Sequence, residues 1–253
     1  MLPILQTLID KKIAGKKAIA VLIDPDKVDE INALQKLINL ASENYIDFFF
    51  IGGSLVTTNN LNQIIRFIKD NCNIPVILFP GSNIQIDLSA DALLFLSLIS
   101  GRNPELLIGQ HVTAAPLIKN SKLEVLPTGY MLINSGKLSS AAYMSNTTPI
   151  PEDKYTLAAC TALAGEMLGL KLIYLDAGSG AEKPISQKMI STVKRTINVP
   201  LIVGGGINST HKAKEALFAG ADVLVIGNAL EKEPDLLTEI SESVYTWNKS
   251  AQV

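Results

Sequence analysis

Asp24, Ser54, Asp176 and a set of glycines carry the chemistry available to this chain. The C-terminal half holds three short apolar runs that each break into anion-binding residue types. Tyr174-Leu175-Asp176 runs into Ala177-Gly178-Ser179-Gly180, Leu201–Val203 into Gly204-Gly205-Gly206, and Val223–Ile226 into Gly227-Asn228. Glycine after a buried strand lets backbone approach a ligand and turns its amides toward an anion. One such turn is unremarkable. Three at successive strand ends imply one phosphate held between three loops.

Nearer the N-terminus, Asp24 ends the segment Leu22-Ile23-Asp24, and Pro25-Asp26-Lys27 follows. A carboxylate at a strand end suits Mg²⁺, which takes one or two protein oxygens and completes its shell with phosphate oxygens and water. Asp24 could also simply open a turn, and Asp26 is expected to cap a helix beginning at Val28. Ser54, after Gly52-Gly53, offers a hydroxyl to a metal or a phosphate, and would serve equally as a helix cap.

These residues need a frame that brings strand ends together. Strand-like runs recur at Ala18–Ile23, Asp47–Ile51, Pro75–Phe79, Ala92–Leu98, Glu124–Ile133, Leu172–Leu175, Leu201–Val203 and Val223–Ile226. Helix-like stretches fall at Leu2–Ile13, Val28–Asn44, Asn59–Asn71, Tyr155–Leu168, Ser186–Thr196, Ser209–Ala219 and Pro234–Asn248. Eight alternating units imply a parallel sheet closed into a (β/α)8 TIM barrel, spanning residues 1–253 as one domain. In that fold the loops after strands seven and eight commonly hold phosphate. Two units are irregular. Too few residues separate Phe79 from Ala92 for a crossover helix, so the third helix is expected to be missing or replaced by a loop, opening a groove. Lys137–Asp153 is polar and rich in Ser, Thr and Pro, and is expected to be a mobile loop over the barrel mouth.

Composition narrows the function classes. A net charge of −2 with interspersed signs gives no footprint for nucleic acid. The hydrophobic fraction of 47% and mean hydropathy of +0.27 exceed what a plain surface requires. Two-faced strand burial, an oligomer interface or an apolar channel would absorb the excess. No apolar run reaches the roughly twenty residues of a membrane span, and no signal-peptide pattern opens the chain, so a cytoplasmic protein is expected. Cys72 and Cys160 have no CxxC partner and read as packing thiols. His111 and His211 lack ligand-like neighbours and read as structural or surface residues.

Leu22–Lys27, Gly52-Gly53-Ser54, Ser97–Gly109 with its Asn103-Pro104, Tyr174–Ala181, Gly204–Ile207 and Gly227-Asn228 together resemble the motifs of the geranylgeranylglyceryl phosphate synthase family. The resemblance covers nearly the whole chain in order. Leu-Ile-Asp-Pro-Asp-Lys and Tyr-Leu-x-Ala-Gly-Ser-Gly are its most specific elements. It implies a barrel whose third helix is replaced by an extended element. It also implies prenyl transfer from a prenyl diphosphate, geranylgeranyl diphosphate being the expected donor, to the 3-hydroxyl of sn-glycerol 1-phosphate. Asp24 and Ser54 would hold Mg²⁺, while Tyr174, Leu175, Asp176, Ala177, Gly178, Ser179, Gly180, Gly205, Gly206, Gly227 and Asn228 would bind glycerol phosphate. Asp24 and Asp176 would be catalytic, and a homo-oligomer, dimer or hexamer, is implied. One residue departs from the pattern: the family usually carries glutamate at Asp176. The related heptaprenyl branch has a lysine where this chain has Leu22, so the geranylgeranyl branch is the nearer one.

Two other readings compete. Another phosphate-binding barrel enzyme is possible on the glycine loops alone, but no strand ends in a lysine placed for a Schiff base. A non-catalytic phosphometabolite-binding protein would not need Asp24.

Overall fold

A computed structural model describes residues 3–28 and 30–251. Eight parallel strands close into a barrel in chain order. They are β1 (Ala18–Ile23), β2 (Phe48–Ile51), β3 (Val76–Leu78), β4 (Ala92–Leu98), β5 (Glu124–Leu132), β6 (Leu172–Asp176), β7 (Leu201–Gly204) and β8 (Val223–Ile226). The expected strands coincide with these to within a residue or so at each end. The helices are α1 (Ile4–Ile13), α2 (Ile31–Glu43), α3 (Leu61–Asn71), α4 (Gln110–Lys119), α5 (Ser140–Ser145), α6 (Tyr155–Met167), α7 (Gln187–Lys194), α8 (Thr210–Ala219), α9 (Ala229–Lys232) and α10 (Leu236–Ser250). Of the expected helical stretches, Leu2 lies outside the described residues, as does Asp29 within Val28–Asn44.

Strand alternation sorts the core into two shells. Ala20, Phe50, Ile77, Leu94, Leu126, Tyr174, Ile202 and Val225 fill the barrel interior. Their neighbours, such as Val21, Phe49, Leu78, Leu175, Val203 and Leu224, pack outward under the helices. Helix α1 closes the bottom, with Ile4 and Leu8 joining the inner cluster. Its first turn is anchored by Glu124, whose carboxylate accepts from the amides of Ile4 and Leu5 at 2.6 and 2.9 Å. An anion at a helix N-terminus satisfies orphan amides there.

Between β3 and β4 there is only a short 3-10 turn at Asn83–Gln85, as the spacing predicts. The consequence is visible on β4: Leu93 and Phe95 from its outer face and Leu94, Leu96 and Leu98 from its inner face all line the same cavity.

Several local expectations fail. The stretch before β5 is helical, a π-turn at Glu105–Gly109 leading into α4. Pro116 inside α4 and the absence of a clean apolar stripe hide that helix from periodicity. Lys137–Asp153 is not all loop. Ser139 caps α5 by accepting from the Ala142 amide at 3.2 Å, Ala142 and Ser145 are buried, and Ile150 pairs with Ile133. A helix of six residues is too short to show a period. Asp26 does not cap α2, which starts at Ile31. Instead its carboxylate accepts from the amides of Thr57 and Thr58 at 2.8 and 2.9 Å, tying the loop after β1 to the loop after β2. The Thr58 hydroxyl, aided by those amides, holds the Asp26 carboxyl down to about 2. Cys72 ends α3 half-buried, whereas Cys160 is exposed on α6 and is not a packing thiol.

Candidate active site

All the chemistry-bearing strand ends meet at the C-terminal mouth, in one cavity of about 1340 Å³. That exceeds the roughly 300–1,000 Å³ usual for a small-molecule site, so a glycerol phosphate alone would leave much of it empty. Its two ends differ in character. Asp24, Ser54, Gly178, Ser179, Gly180, Gly205, Gly206, Gly227 and Asn228 line the polar end. The leucines of β4, Phe95, Leu106 and Ala114 line the apolar end, where the helix is missing, and Phe79 lies between the two, stacked on Tyr174.

At the polar end the glycine loops present free backbone donors. Among the described residues, the amides of Ser179, Gly180, Gly205, Gly206, Gly227 and Asn228 donate to no other group. The amide of Gly178 is taken by Asp176 at 2.8 Å, and Asn228 Nδ2 donates to Ser179 Oγ at 3.0 Å, joining two of the loops. Gly205 has φ +81, and a Cβ there would lie 2.8 Å from Asp176 Oδ1 and 2.9 Å from the Ala177 amide nitrogen. Only glycine meets both demands.

Leu175 and Ala177 stand apart from the other residues of their motif. Strand alternation points both side chains outward into the shell beneath the helices, and neither lines the cavity. The Ala177 amide donates to Gly204 O at 3.1 Å, so it is not free for an anion. Tyr174 and Asp176, in the inward register, do face the cavity.

Asp176 is buried at the cavity wall. Its Oδ2 accepts from the Tyr130 hydroxyl at 2.5 Å and its Oδ1 from the Gly178 amide. Burial pushes its carboxyl up, and those two donors oppose the shift. Burial, reinforced by the nearby Asp176 charge, pushes the Tyr130 and Tyr174 phenols well above their ordinary range.

Asp24 is half-buried and lines the same cavity. Its Oδ1 accepts from the Asp26 amide at 3.1 Å, which makes it the cap of the 3-10 turn Pro25–Lys27. The turn-opening reading therefore holds for Asp24, and the same side chain faces the cavity. Burial raises the Asp24 carboxyl, the Asp26 amide and Lys27 opposing. Lys27 itself pairs with Glu231 at 3.0 Å. The loop carrying Ser54 abuts Asp24: a Cβ on Gly53 would sit 3.6 Å from Oδ1. Among the described residues no group of three or more His, Cys, Asp or Glu gathers to hold a metal.

Known proteins decide the family. The chain matches the PcrB family over residues 11–244. It is 55% identical over 241 residues to a geranylgeranylglyceryl phosphate synthase of Spirosoma linguale, covering 95% of this chain and 96% of that one. The chain belongs to the geranylgeranylglyceryl phosphate synthase family. A geranylgeranylglyceryl phosphate synthase of Chitinophaga pinensis is 53% identical, with 96% of each chain covered. Among solved structures, (S)-3-O-geranylgeranylglyceryl phosphate synthase from Thermoplasma acidophilum, in complex with its substrate sn-glycerol-1-phosphate, superposes with a TM-score of 0.90 at 31% identity, covering 96% of this chain and 99% of that one.

Within this family frame, three residues of the site escaped sequence reasoning. Tyr130 could have been found: it shares the inward register of β5 with Leu126, Thr128 and Leu132, where a polar aromatic near the strand end faces the mouth. Phe79 stacks on Tyr174 with ring centroids 5.3 Å apart, a contact between distant strands that carries no local signal. His111 is buried at the apolar end, edge-on to Phe95 at 4.4 Å, and burial pushes its imidazole down toward the neutral form. His211, by contrast, is exposed on α8, as a surface residue.

Proposed function

We infer that this protein is a prenyltransferase joining the 3-hydroxyl of sn-glycerol 1-phosphate to a prenyl diphosphate, with release of diphosphate. The observation that carries the reading is the cavity itself. A cradle of free amides suited to one phosphate opens into an apolar groove, and the whole cavity of about 1340 Å³ has room for a second, tailed substrate. The family membership supports the same reaction, and geranylgeranyl is the tail we assign.

The chain's own residues account for the chemistry as follows. Amides of Ser179, Gly180, Gly205, Gly206, Gly227 and Asn228 bind the glycerol phosphate, with no charged side chain needed. Asp176 receives the proton of the glycerol 3-hydroxyl as that oxygen bonds to the prenyl C1. The C1–O bond to diphosphate breaks with its electron pair leaving on diphosphate. The apolar walls of β4, Leu106 and Ala114 hold the tail and exclude water from the developing allylic cation.

Asp24 and Ser54 suit Mg²⁺. They supply one carboxylate and one hydroxyl and leave the remaining positions to substrate oxygens and water. Bound there, the ion would offset the charge gathering on the leaving diphosphate. The exposed apolar side chains Leu157 and Met167 of α6 and Leu168 just past its end support association of copies into a homo-oligomer.

The test is incubation of purified protein with labelled sn-glycerol 1-phosphate and diphosphates of several tail lengths, with and without Mg²⁺. Label should pass into organic solvent, most with the geranylgeranyl donor and only when Mg²⁺ is supplied. A folded protein that yields no extractable label with any tail would overturn the reading in favour of a non-catalytic phosphate binder.

A further inference from the structure

Tyr130 is a buried polar side chain at the glycerol end of the cavity that the reaction as written does not use. Its ring is clamped edge-on between two others, Phe79 at 5.7 Å and Tyr174 at 5.4 Å. With the ring fixed, its hydroxyl has little freedom and meets Asp176 Oδ2 at 2.5 Å. The Gly178 amide grips Oδ1 from the other side at 2.8 Å. The Asp176 carboxylate is thus pinned at both oxygens.

We propose that Tyr130 is a positioning residue for prenyl transfer, holding and aiming the Asp176 carboxylate so that it can accept the glycerol hydroxyl proton. The inference rests on the prenyl-transfer reading and adds a residue to it. A hydrogen bond to an ionised group is stronger than one between neutral groups, and stronger still in a dry site. Tyr130 suits this task better than a lysine or histidine would. It brings no net charge, and burial together with Asp176 keeps its own proton in place, so it remains a donor across the working pH range. Among the described residues the titratable groups facing Asp176 are Tyr130 from β5 and Tyr174 from its own strand. From β7 the approach is glycine, Gly204 and Gly205. Apart from Tyr130 and the Gly178 amide, nothing among the described residues there offsets the cost of burying the charge. During the reaction the proton moves from the glycerol hydroxyl to Asp176, and Tyr130 donates without giving up its own.

The experiment compares the wild-type enzyme with Tyr130→Phe, which keeps the ring in its clamp and deletes only the hydroxyl. At neutral pH, kcat should fall about tenfold or more, the worth of a hydrogen bond to a charged group. The acid limb of the kcat profile should move to higher pH, while KM for the prenyl diphosphate stays within about twofold. In parallel, the Asp176 carboxyl carbon is titrated by ¹³C NMR in both proteins, which needs no turnover; its midpoint should rise in the variant. An unmoved acid limb, or an unmoved carboxyl titration in a folded variant, would overturn the proposal and leave Tyr130 a packing group. Wild-type protein that transfers no prenyl group while the titration still moves would instead sink the reaction, leaving the hold of Tyr130 on Asp176 intact.

Discussion

At the bottom of the barrel, an aspartate stands one residue before each of β2, β4 and β8, and each is used in the same way. Asp47 accepts from the Ile19 amide at 2.9 Å, Asp91 from the Val76 amide at 2.8 Å, and Asp222 from the Leu201 amide at 2.8 Å. Each reaches back to the first turns of the preceding strand, and each pairs with a lysine of the helix before that strand, Lys11, Lys69 and Lys194 respectively. Asp222 also lies 3.9 Å from the buried Lys17. The β5–β6 pair departs from the pattern. There Lys171 precedes β6, and its own amide donates to Pro127 O at 2.8 Å.

At the top, Asp24 and Asp176 are treated in the opposite manner. Among the described residues neither takes part in a salt bridge, and burial raises both carboxyls. The contrast teaches how the fold divides its tasks. Carboxylates at the bottom are matched by cations and strand amides, and so brace successive strand pairs. Those at the top are left short of positive charge, which makes them available to a metal ion or a substrate proton.

The comparison breaks first at Asp24. Asp24→Asn keeps the cap to the Asp26 amide but removes the charge, so turnover should fall about a thousandfold while thermal unfolding stays where it is. A variant with near-normal turnover would put the metal elsewhere. At the other end, Asp222→Ala should do the reverse. It leaves the buried Lys17 and the half-buried Lys194 without their partner and should cost about 3 kcal/mol of stability in urea titration. Its kcat at 25 °C should stay unchanged, and a large loss of rate there would erase the division between the two ends.

Smaller effects sharpen the picture within the top face. Gly205→Val imposes a Cβ against Asp176 and forces a branched residue to φ +81, so KM for glycerol phosphate should rise about tenfold or more. An unchanged KM would place the anion outside these loops. The smallest effect is one of sign. Burial holds the Asp176 carboxyl above its unfolded value, so the native state keeps a proton that the unfolded chain releases. Stability therefore declines as pH rises from the unfolded value through the folded one. Asp176→Asn removes that decline. It should unfold at a higher temperature than wild type at pH 8, with the gap closing as pH falls below the ordinary carboxylate range. Equal melting temperatures at both pH values would mean that burial imposes no such cost.

Much of this was legible in the chain because the relevant signals are local. Runs such as Ala18–Ile23, Leu201–Val203 and Val223–Ile226 are strands buried on both faces, and their continuous apolar character marks them without reference to anything distant. The short interval between Phe79 and Ala92 excluded a helix by length alone. The glycines after β6, β7 and β8 could be placed at one mouth because strands in a closed parallel barrel all end on the same face. Within Tyr174–Ala177, however, the one-dimensional motif does not separate the residues that face the cavity from those that face the helices. Pleat alternation makes that choice, sending Tyr174 and Asp176 inward and Leu175 and Ala177 outward. Helices α4 and α5 were not legible either, since a proline in one and the shortness of the other erase the period by which a helix is recognised. Tertiary structure alone decided that Tyr130 meets Asp176 across 46 residues, that Phe79 stacks on Tyr174, and that a uniform set of aspartates clamps the barrel floor. Sequence determines which groups a chain can offer and how its backbone runs locally. Which of those groups share a dry space depends on closing the sheet, and closure sets the electrostatics that make one aspartate a brace and leave another without a cation.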